Sequence, residues 1–544
     1  MVPSAHVDTF CRDNLPPREQ WPAFLLDRPE LRYPARLNAA VELLDATVAA
    51  GHGERIALRT DAARCTYRQL QAQVDRICRV LVEDLALVPG ERVLLRAANT
   101  PMMAACWLAV VKCGLVAVAT MPMLRARELV PVVEKARVRA ALCDARLKDD
   151  LVATQRQCPV LERVLWFDDG DGTVGGAAPG SLEALAAAKP AGFAGCDTAQ
   201  DDVALIAFTS GTTGQPKGTM HFHRDVIAMC DLFPRSVLEP TADDVFCGTP
   251  PLAFTFGLGG MLCFPMRFAA STLLLEKSTP ESLLAAIARH RATILFTAPT
   301  FYRQMALRAK DHDLSSLAKC VSAGEALPDA TRQLWKQATG IEMIDGIGAT
   351  ELIHIFISAK PAEVRRGAIG RVVPGYEARI VDDAMNTLPA GAIGRLAVRG
   401  PTGCRYLADD RQRQYVRDGW NLTGDTFSMD ADGYCFYQAR SDDMIVSAGY
   451  NIAGPEVEGA LLAHEAVAEA AVIGVPDAER GTIVKAFVVL KPGATGDEAM
   501  ERALQDHVKA TIAPYKYPRS VEFRDALPRT ETGKLQRFRL RDAG

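Results

Sequence analysis

Short apolar runs bounded by turn residues alternate along this chain with stretches whose apolar positions recur at helical spacing. Residues 203–208, 294–296 and 341–344 read as short buried strands, and residues 66–87, 280–289 and 329–338 as helices, the first opened by a threonine cap. Strands alternating with helices predict an α/β fold with mostly parallel sheets. The apolar stretch 101–123 has the length of a membrane span. Lys112 sits near its centre, however, and Gly114 divides it into a helix-like half and a β-branched half. A buried helix followed by a buried strand fits that pattern better than a bilayer helix. Residues 168–196, rich in Gly and Ala, read as a surface excursion.

The rhythm changes after Gly367. Short strands at 379–381, 395–398 and 434–437 are divided by Pro389-Ala390-Gly391 and Asp430-Ala431-Asp432-Gly433, which suggests a small antiparallel, barrel-like piece. From Ser441 a compact pattern begins again: strand 444–447, helix 455–463, strands 468–475 and 484–490, helix 498–512. The expected organisation is a large N-terminal domain, 1–440, made of two mostly parallel α/β subdomains plus the barrel-like piece. A small C-terminal α+β domain, 441–544, follows it. A chain of 544 residues is too long for a single core.

Composition narrows the class of partner. With 62 basic and 66 acidic residues the net charge is −4, and no basic stripe argues for nucleic acid. The 14 cysteines are scattered without a Cys-x-x-Cys pair, which disfavours a disulfide scaffold or a zinc site and fits a reducing cytoplasm. The first residues carry charges and prolines and no apolar signal core. No membrane association is expected.

The chemistry concentrates in a few segments. Residues 208–218 read FTSGTTGQPKG directly after an apolar run. Glycines let backbone approach a polyphosphate, hydroxyls and N–H groups surround its oxygens, and a lysine adds a point charge. This is no Walker A loop, which needs Gly-Lys-Ser/Thr opening a helix, because Lys217 lies between Pro216 and Gly218. Asp345-Gly346-Ile347-Gly348-Ala349-Thr350-Glu351 follows a strand end, where open α/β sheets bind ligands, and Glu351 offers a hard oxygen for Mg²⁺. Thr423-Gly424-Asp425 places a carboxylate suited to a ribose diol, or is simply a turn at a barrel corner. Residues 439–452, ARSDDMIVSAGYNI, join an arginine, paired aspartates, a strand and a glycine turn ahead of the proline-started helix. Residues 528–535, PRTETGKL, lie near the C-terminus, where a frayed basic tail is the ordinary alternative.

In this order the segments resemble the motifs of the adenylate-forming superfamily: acyl-CoA synthetases, peptide-synthetase adenylation domains and luciferases. The resemblance covers most of the chain. Residues 252–259 (LAFTFGLG), 321–327 (VSAGEAL), 346–356 (GIGATELIHIF) and the opening segment 8–37 are further similar to the aryl-CoA ligase branch, the benzoate- and 2-aminobenzoate-CoA ligases in particular. The resemblance implies activation of an aromatic carboxylate by ATP to acyl-AMP with release of pyrophosphate, then transfer to coenzyme A, with Mg²⁺ required. It further implies a role in aromatic degradation, with a homodimer as the candidate assembly. Thr209, Ser210, Gly211, Thr212, Thr213, Gly214 and Lys217 would hold the β- and γ-phosphates. Thr350 would meet the α-phosphate and Glu351 the metal. Gly324 and Glu325, with Asp345, Gly346 and Ile347, would flank the adenine. Asp425 and Arg440 would bind the ribose. Lys534 would bridge carboxylate and phosphate during attack. Asp442 matches the hinge about which the C-terminal domain alternates, and Gly449 would line the pantetheine tunnel.

By position, Thr255, Phe256, Gly257, Ala298, Ile347, Gly348 and His354 are expected around the aromatic ring. Benzoate-specific relatives carry Ala-Tyr where this chain has Thr255-Phe256, so Thr255 is a candidate partner for an amino or hydroxyl substituent. His221 and His223 would point to one face of a strand, and a packed or hydrogen-bonded role is preferred over a metal site. His354 is read either as a pocket residue or as a satisfied core histidine. Lys516 and Arg519 could meet the phosphates of coenzyme A, although a solvated charged face is the default. Two other functions fit the same motifs: loading of a carrier protein, and a non-catalytic nucleotide sensor.

Overall fold

The computed structural model describes residues 3–167, 180–209, 216–440, 445–447, 450–477, 481–512, 514–529 and 535–541. Two large sheets dominate. One has six strands in the order Arg163–Phe167, Ala140–Asp144, Arg92–Arg96, Val116–Thr120, Val203–Thr209, Lys217–Phe222, parallel except for the last pair. The other has nine, with six parallel strands from Met343–Gly348 through Ile294–Thr297 to Ile56–Arg59 and antiparallel strands at both edges. The α/β class read from the alternation is therefore the observed one.

A single apolar cluster joins the two sheets. It takes Leu95, Ala117 and Leu205 from one and Phe246, Phe296 and Ile344 from the other. Between them lies helix Pro101–Lys112, buried from Met102 to its end. Lys112 is tolerated there because Asp45 and Asp75 each accept a 2.6 Å hydrogen bond from its ammonium. Gly114, at φ +70°, then turns the chain into Val116–Thr120. The apolar stretch is thus a buried helix and strand, and no described helix is long and apolar enough to cross a membrane.

Helix Tyr67–Arg79 starts on Thr66, whose hydroxyl accepts from Gln69 N–H while the Gln69 side chain accepts from Thr66 N–H. It continues as a wider π-type turn over Val80–Asp84. Three expectations change. The strand expected at 341–344 begins at Met343 and runs through the glycines to Gly348, because Ile355–Ser358 pairs antiparallel with it. Residues 181–187 are no surface excursion: Ser181 caps helix Leu182–Ala187, whose Leu182 is fully buried. Finally, the chain passes from strand to helix between Phe222 and His223, so the two histidines do not share a strand face.

After these sheets comes a five-stranded antiparallel sheet containing Glu377–Val381, Ile393–Arg399, Trp420–Met429 and Cys435–Arg440. Further on, helices Gly454–Leu462 and Glu498–Thr511 pack on a three-stranded sheet around Val457, Leu461, Val472, Val488 and Leu504. All 14 cysteines are free, and all but Cys65 and Cys196 are buried.

Candidate active site

The strand Val203–Thr209 returns directly as Lys217–Phe222, and Thr209 pairs with Lys217 across the hairpin. The segment read as a phosphate cradle therefore bridges two antiparallel strands. Its residues Ser210, Gly211, Thr212, Thr213 and Gly214 lie outside the described residues, as do Asp442, Gly449 and Lys534. The Lys217 ammonium stands 5.5 Å from the centroid of the Tyr406 ring. The Tyr406 hydroxyl donates a 2.6 Å hydrogen bond to Glu351 Oε1. Tyr406 thus ties the lysine of one motif to the carboxylate of another, and sequence reasoning missed it. It sits one residue after Arg405, beyond the strand Ile393–Arg399, in an irregular segment with no motif to mark it. Burial first, then the facing Glu351 carboxylate, pushes the Tyr406 phenol far up, so it stays a donor.

Glu351 belongs to a single 3₁₀ turn, Thr350–Leu352, which ends at Ile353 with φ +68°. The Thr350 carbonyl accepts a 2.8 Å hydrogen bond from His221 Nε2, which fixes the proton on that nitrogen. His223 is fully buried and its Nδ1 accepts from Ala39 N–H at 3.0 Å. His221 therefore ties the hairpin to the turn, and His223, at the start of the following helix, ties that helix to Ala39. The donor set around Glu351, one carboxylate fixed by a phenol beside a threonine, fits a hard divalent cation.

Asp425 and Arg440 are cross-strand partners, with Nη1 donating to Oδ1 at 3.2 Å and to the Thr423 carbonyl at 3.1 Å. Burial raises the Asp425 carboxyl, and Arg440 draws it part of the way back. Gly424, inside the strand Trp420–Met429 directly before Asp425, has φ +78°, a backbone conformation that glycine adopts without strain. Glu325 accepts from Thr300 Oγ1 at 2.8 Å.

Asp345 is buried, and burial pushes its carboxyl up to about 7, with Arg332 and the Gly346 N–H opposing. A raised folded-state value means that stability is lost as pH rises from the ordinary aspartate range, about 3.9, through about 7. Asp345→Asn should therefore melt at a higher temperature than the native chain at pH 8 and at an equal one near pH 4. Thermal melts across that range would show it, and a constant offset at every pH would refute it.

The expected acyl pocket is partly assembled. His354 packs against Phe264, Phe256 and Phe233 with ring centroids at 4.5, 5.6 and 5.9 Å. Its Nε2 donates to the Phe256 carbonyl at 3.3 Å, and burial pulls its ring down to about 3, leaving it neutral. Nδ1 is then a buried acceptor with no hydrogen-bond partner among the described residues. Gly348 lies against the His354 carbonyl, where a Cβ would approach to 2.7 Å, and Gly257 fits against Pro251 in the same way. Ile347 is half-buried against the main core, and Ala298 caps helix Pro299–Ala306. Thr255, one residue before Phe256, lines a narrow apolar cavity with Trp107, Leu205, Ala207 and Leu258. Away from the site, Lys516 pairs with Glu456 at 2.6 Å, and Arg519 donates to the Tyr517 hydroxyl.

The family profile described as AMP-binding enzyme matches residues 46–406, and that of the AMP-binding enzyme C-terminal domain matches residues 456–534. A benzoate–CoA ligase of Thauera aromatica is 36% identical over 522 residues, covering 95% of this chain and 98% of that protein. The crystal structure of the anthranilate CoA ligase AuaEII in complex with anthranoyl-AMP matches with a TM-score of 0.89 at 35% identity, covering 95% of this chain and 99% of that one. That of a benzoate CoA ligase from Burkholderia xenovorans LB400 matches with a TM-score of 0.83 at 30% identity, covering 93% and 99%.

Proposed function

The chain belongs to the AMP-binding enzyme family, and from that premise we propose that it is an AMP-forming aryl-carboxylate–CoA ligase. One observation carries the reading: Tyr406 brings the Lys217 ammonium and the Glu351 carboxylate to one place from motifs far apart in sequence. A lysine beside a carboxylate that can hold a divalent cation is what a magnesium triphosphate needs. Oxide is a prohibitive leaving group for a carboxylate, so the acid must first become an acyl-AMP. Lys217 and the loop that it closes grip the outer phosphates, Thr350 meets the α-phosphate, and Glu351 holds the metal. A magnesium ion held by Glu351 would supply charge neutralisation for the phosphates. Asp425 accepts from the ribose hydroxyls, and Arg440 fixes its orientation.

The acyl site supports an aromatic acid. A neutral imidazole among phenylalanines suits a flat apolar ring, and the unpaired His354 Nδ1 suits an amino or hydroxyl hydrogen on it. The benzoate- and anthranilate-CoA ligase names of its relatives agree with that chemistry. Coenzyme A is the thiol acceptor on the same grounds, and a carrier protein is not favoured. The free, buried thiols suit a reducing cytoplasm.

The test is ATP–pyrophosphate exchange driven by benzoate, 2-aminobenzoate, 2-hydroxybenzoate, phenylacetate and a medium-chain fatty acid, followed by addition of coenzyme A. The aromatic acids should drive exchange well above phenylacetate and the fatty acid, and coenzyme A should convert the acyl-AMP to thioester. Absence of exchange with every acid would sink the reading.

A further inference from the structure

We infer that Arg529 and Glu325 form a clamp that seats the C-terminal unit for the adenylation step. The two residues are 204 positions apart in sequence, and Arg529 Nη1 reaches Glu325 Oε1 at 3.3 Å. Each end of this contact is held. Thr300 donates to the other Glu325 oxygen at 2.8 Å, and Glu469 accepts from Arg529 Nη2 at 2.7 Å. Glu469 lies on the long strand Val467–Asp477 of the three-stranded sheet, so the guanidinium spans from one unit to the other.

Where Arg529 sits gives the contact its consequence. Arg529 pairs antiparallel with Leu535, and Gln536 N–H donates to the Pro528 carbonyl at 2.8 Å. These two links close the root of the segment that carries Lys534, which precedes Leu535 directly. The clamp thus fastens that root to Glu325, within the Ala323-Gly324-Glu325 segment assigned to the adenine. A second link runs from the same helix as Thr300. Arg303, one turn further along Pro299–Ala306, donates to the carbonyls of Leu462 and Val467 at 3.3 and 3.2 Å. Helix Pro299–Ala306 therefore acts as the seat, with Thr300 orienting the acidic half of the clamp and Arg303 gripping the C-terminal unit by its backbone. The Arg529 and Glu325 side chains are only 25% and 19% exposed. The pair is screened less than a surface bridge, yet open enough to separate without stranding a charge.

Arg529 and Glu325 are positioning residues in this account, since neither touches the reacting atoms. The inference rests on the ligase reading for its consequence, namely that adenylation alone needs the clamp closed. Arg529→Gln should lower the turnover number for pyrophosphate exchange about tenfold, the size of a hydrogen bond to a charged group. The KM for ATP should be unchanged, and conversion of supplied acyl-AMP to thioester should be retained. Glu325→Gln should lower that turnover to a similar extent, and the double variant should be little worse in turnover than either single one. Spin labels carried by unnatural amino acids at the exposed positions 313 and 506 give a readout besides activity. The distance between them should be narrowly distributed in the native chain and broadened in both variants. Equal loss in both half-reactions, a raised KM for ATP at normal turnover, or an unbroadened distance would overturn the clamp. Should the native chain show no exchange with any acid, the ligase reading fails, and the label distances alone then decide whether the clamp exists.

Discussion

Replacing Lys534 with alanine is expected to lower acyl-AMP formation by about 10²–10³-fold while leaving most of the thioester-forming step intact. Attack of a carboxylate on the α-phosphate brings two anions together, and the charge that develops between them has to be met by a fixed cation. A single well-placed donor facing a developing charge is worth about 10²–10³ in turnover. Lys217 is committed to the hairpin beside Tyr406, and Arg440 is engaged with Asp425 and the Thr423 carbonyl. Lys534 is the further cation that the resemblance assigns to the carboxylate, and its segment is rooted at Arg529 and Leu535. Once acyl-AMP exists, a thiol attacks a carbonyl whose leaving group is already good, and that step has no need of the lysine. Carboxylate-dependent pyrophosphate exchange reads the first step, and coenzyme A-dependent consumption of supplied acyl-AMP reads the second. Equal losses in both would show that the lysine serves a single unchanging site and that alternation of the C-terminal unit is wrong.

Glycines, hydroxyls and a lysine spaced as in 208–218 point to a phosphate site from sequence alone, because few other tasks require so many small and polar residues after a buried strand. The alternation of apolar strands with helices announced the α/β class for the same kind of reason: both signals are local. What stayed hidden depends on pairing across the chain. The Asp345–Gly348 segment looks like a loop by its glycines. It is a strand because Ile355–Ser358 lies alongside, and a Cβ on Gly346 would meet the Ile355 side chain at 2.7 Å. Tyr406 carries no local mark of its partnership with Glu351, 55 positions away, and Arg529 none of its contact with Glu325. His221 and His223 show the opposite error. A two-residue spacing implies a shared face only where both residues lie on one strand, and Asp225, accepting from Phe222 N–H at 2.9 Å, starts the helix between them.

Arg405→Met is expected to cost about 3–5 kcal/mol of stability, the usual consequence of removing one member of a buried ion pair. Arg405 and Asp225 are both fully buried, and their side chains are hydrogen-bonded to each other. Burial alone would raise the Asp225 carboxyl, but the Arg405 guanidinium, His221 and Arg224 outweigh it and hold the group below its usual range. Its contribution is therefore present above the ordinary aspartate value, about 3.9, and is lost as pH falls through the lower folded value. Without Arg405 the carboxylate keeps the Phe222 N–H but loses its main counter-charge, and the guanidinium that lay 3.9 Å from the Phe222 ring centroid is gone. Arg405 also donates to the Met220 carbonyl at 3.2 Å, so its loss loosens the strand that positions Lys217 and, through the next residue, the Tyr406 hydroxyl on Glu351. Melting temperature and nucleotide affinity should fall together. Adding Asp225→Leu removes the stranded charge as well, and the double variant should melt closer to the native chain than Arg405→Met does, because an apolar pair of similar volume carries no desolvation cost. A double variant no more stable than the single one would mean that the helix cap at Phe222, rather than the ion pair, is what Asp225 supplies.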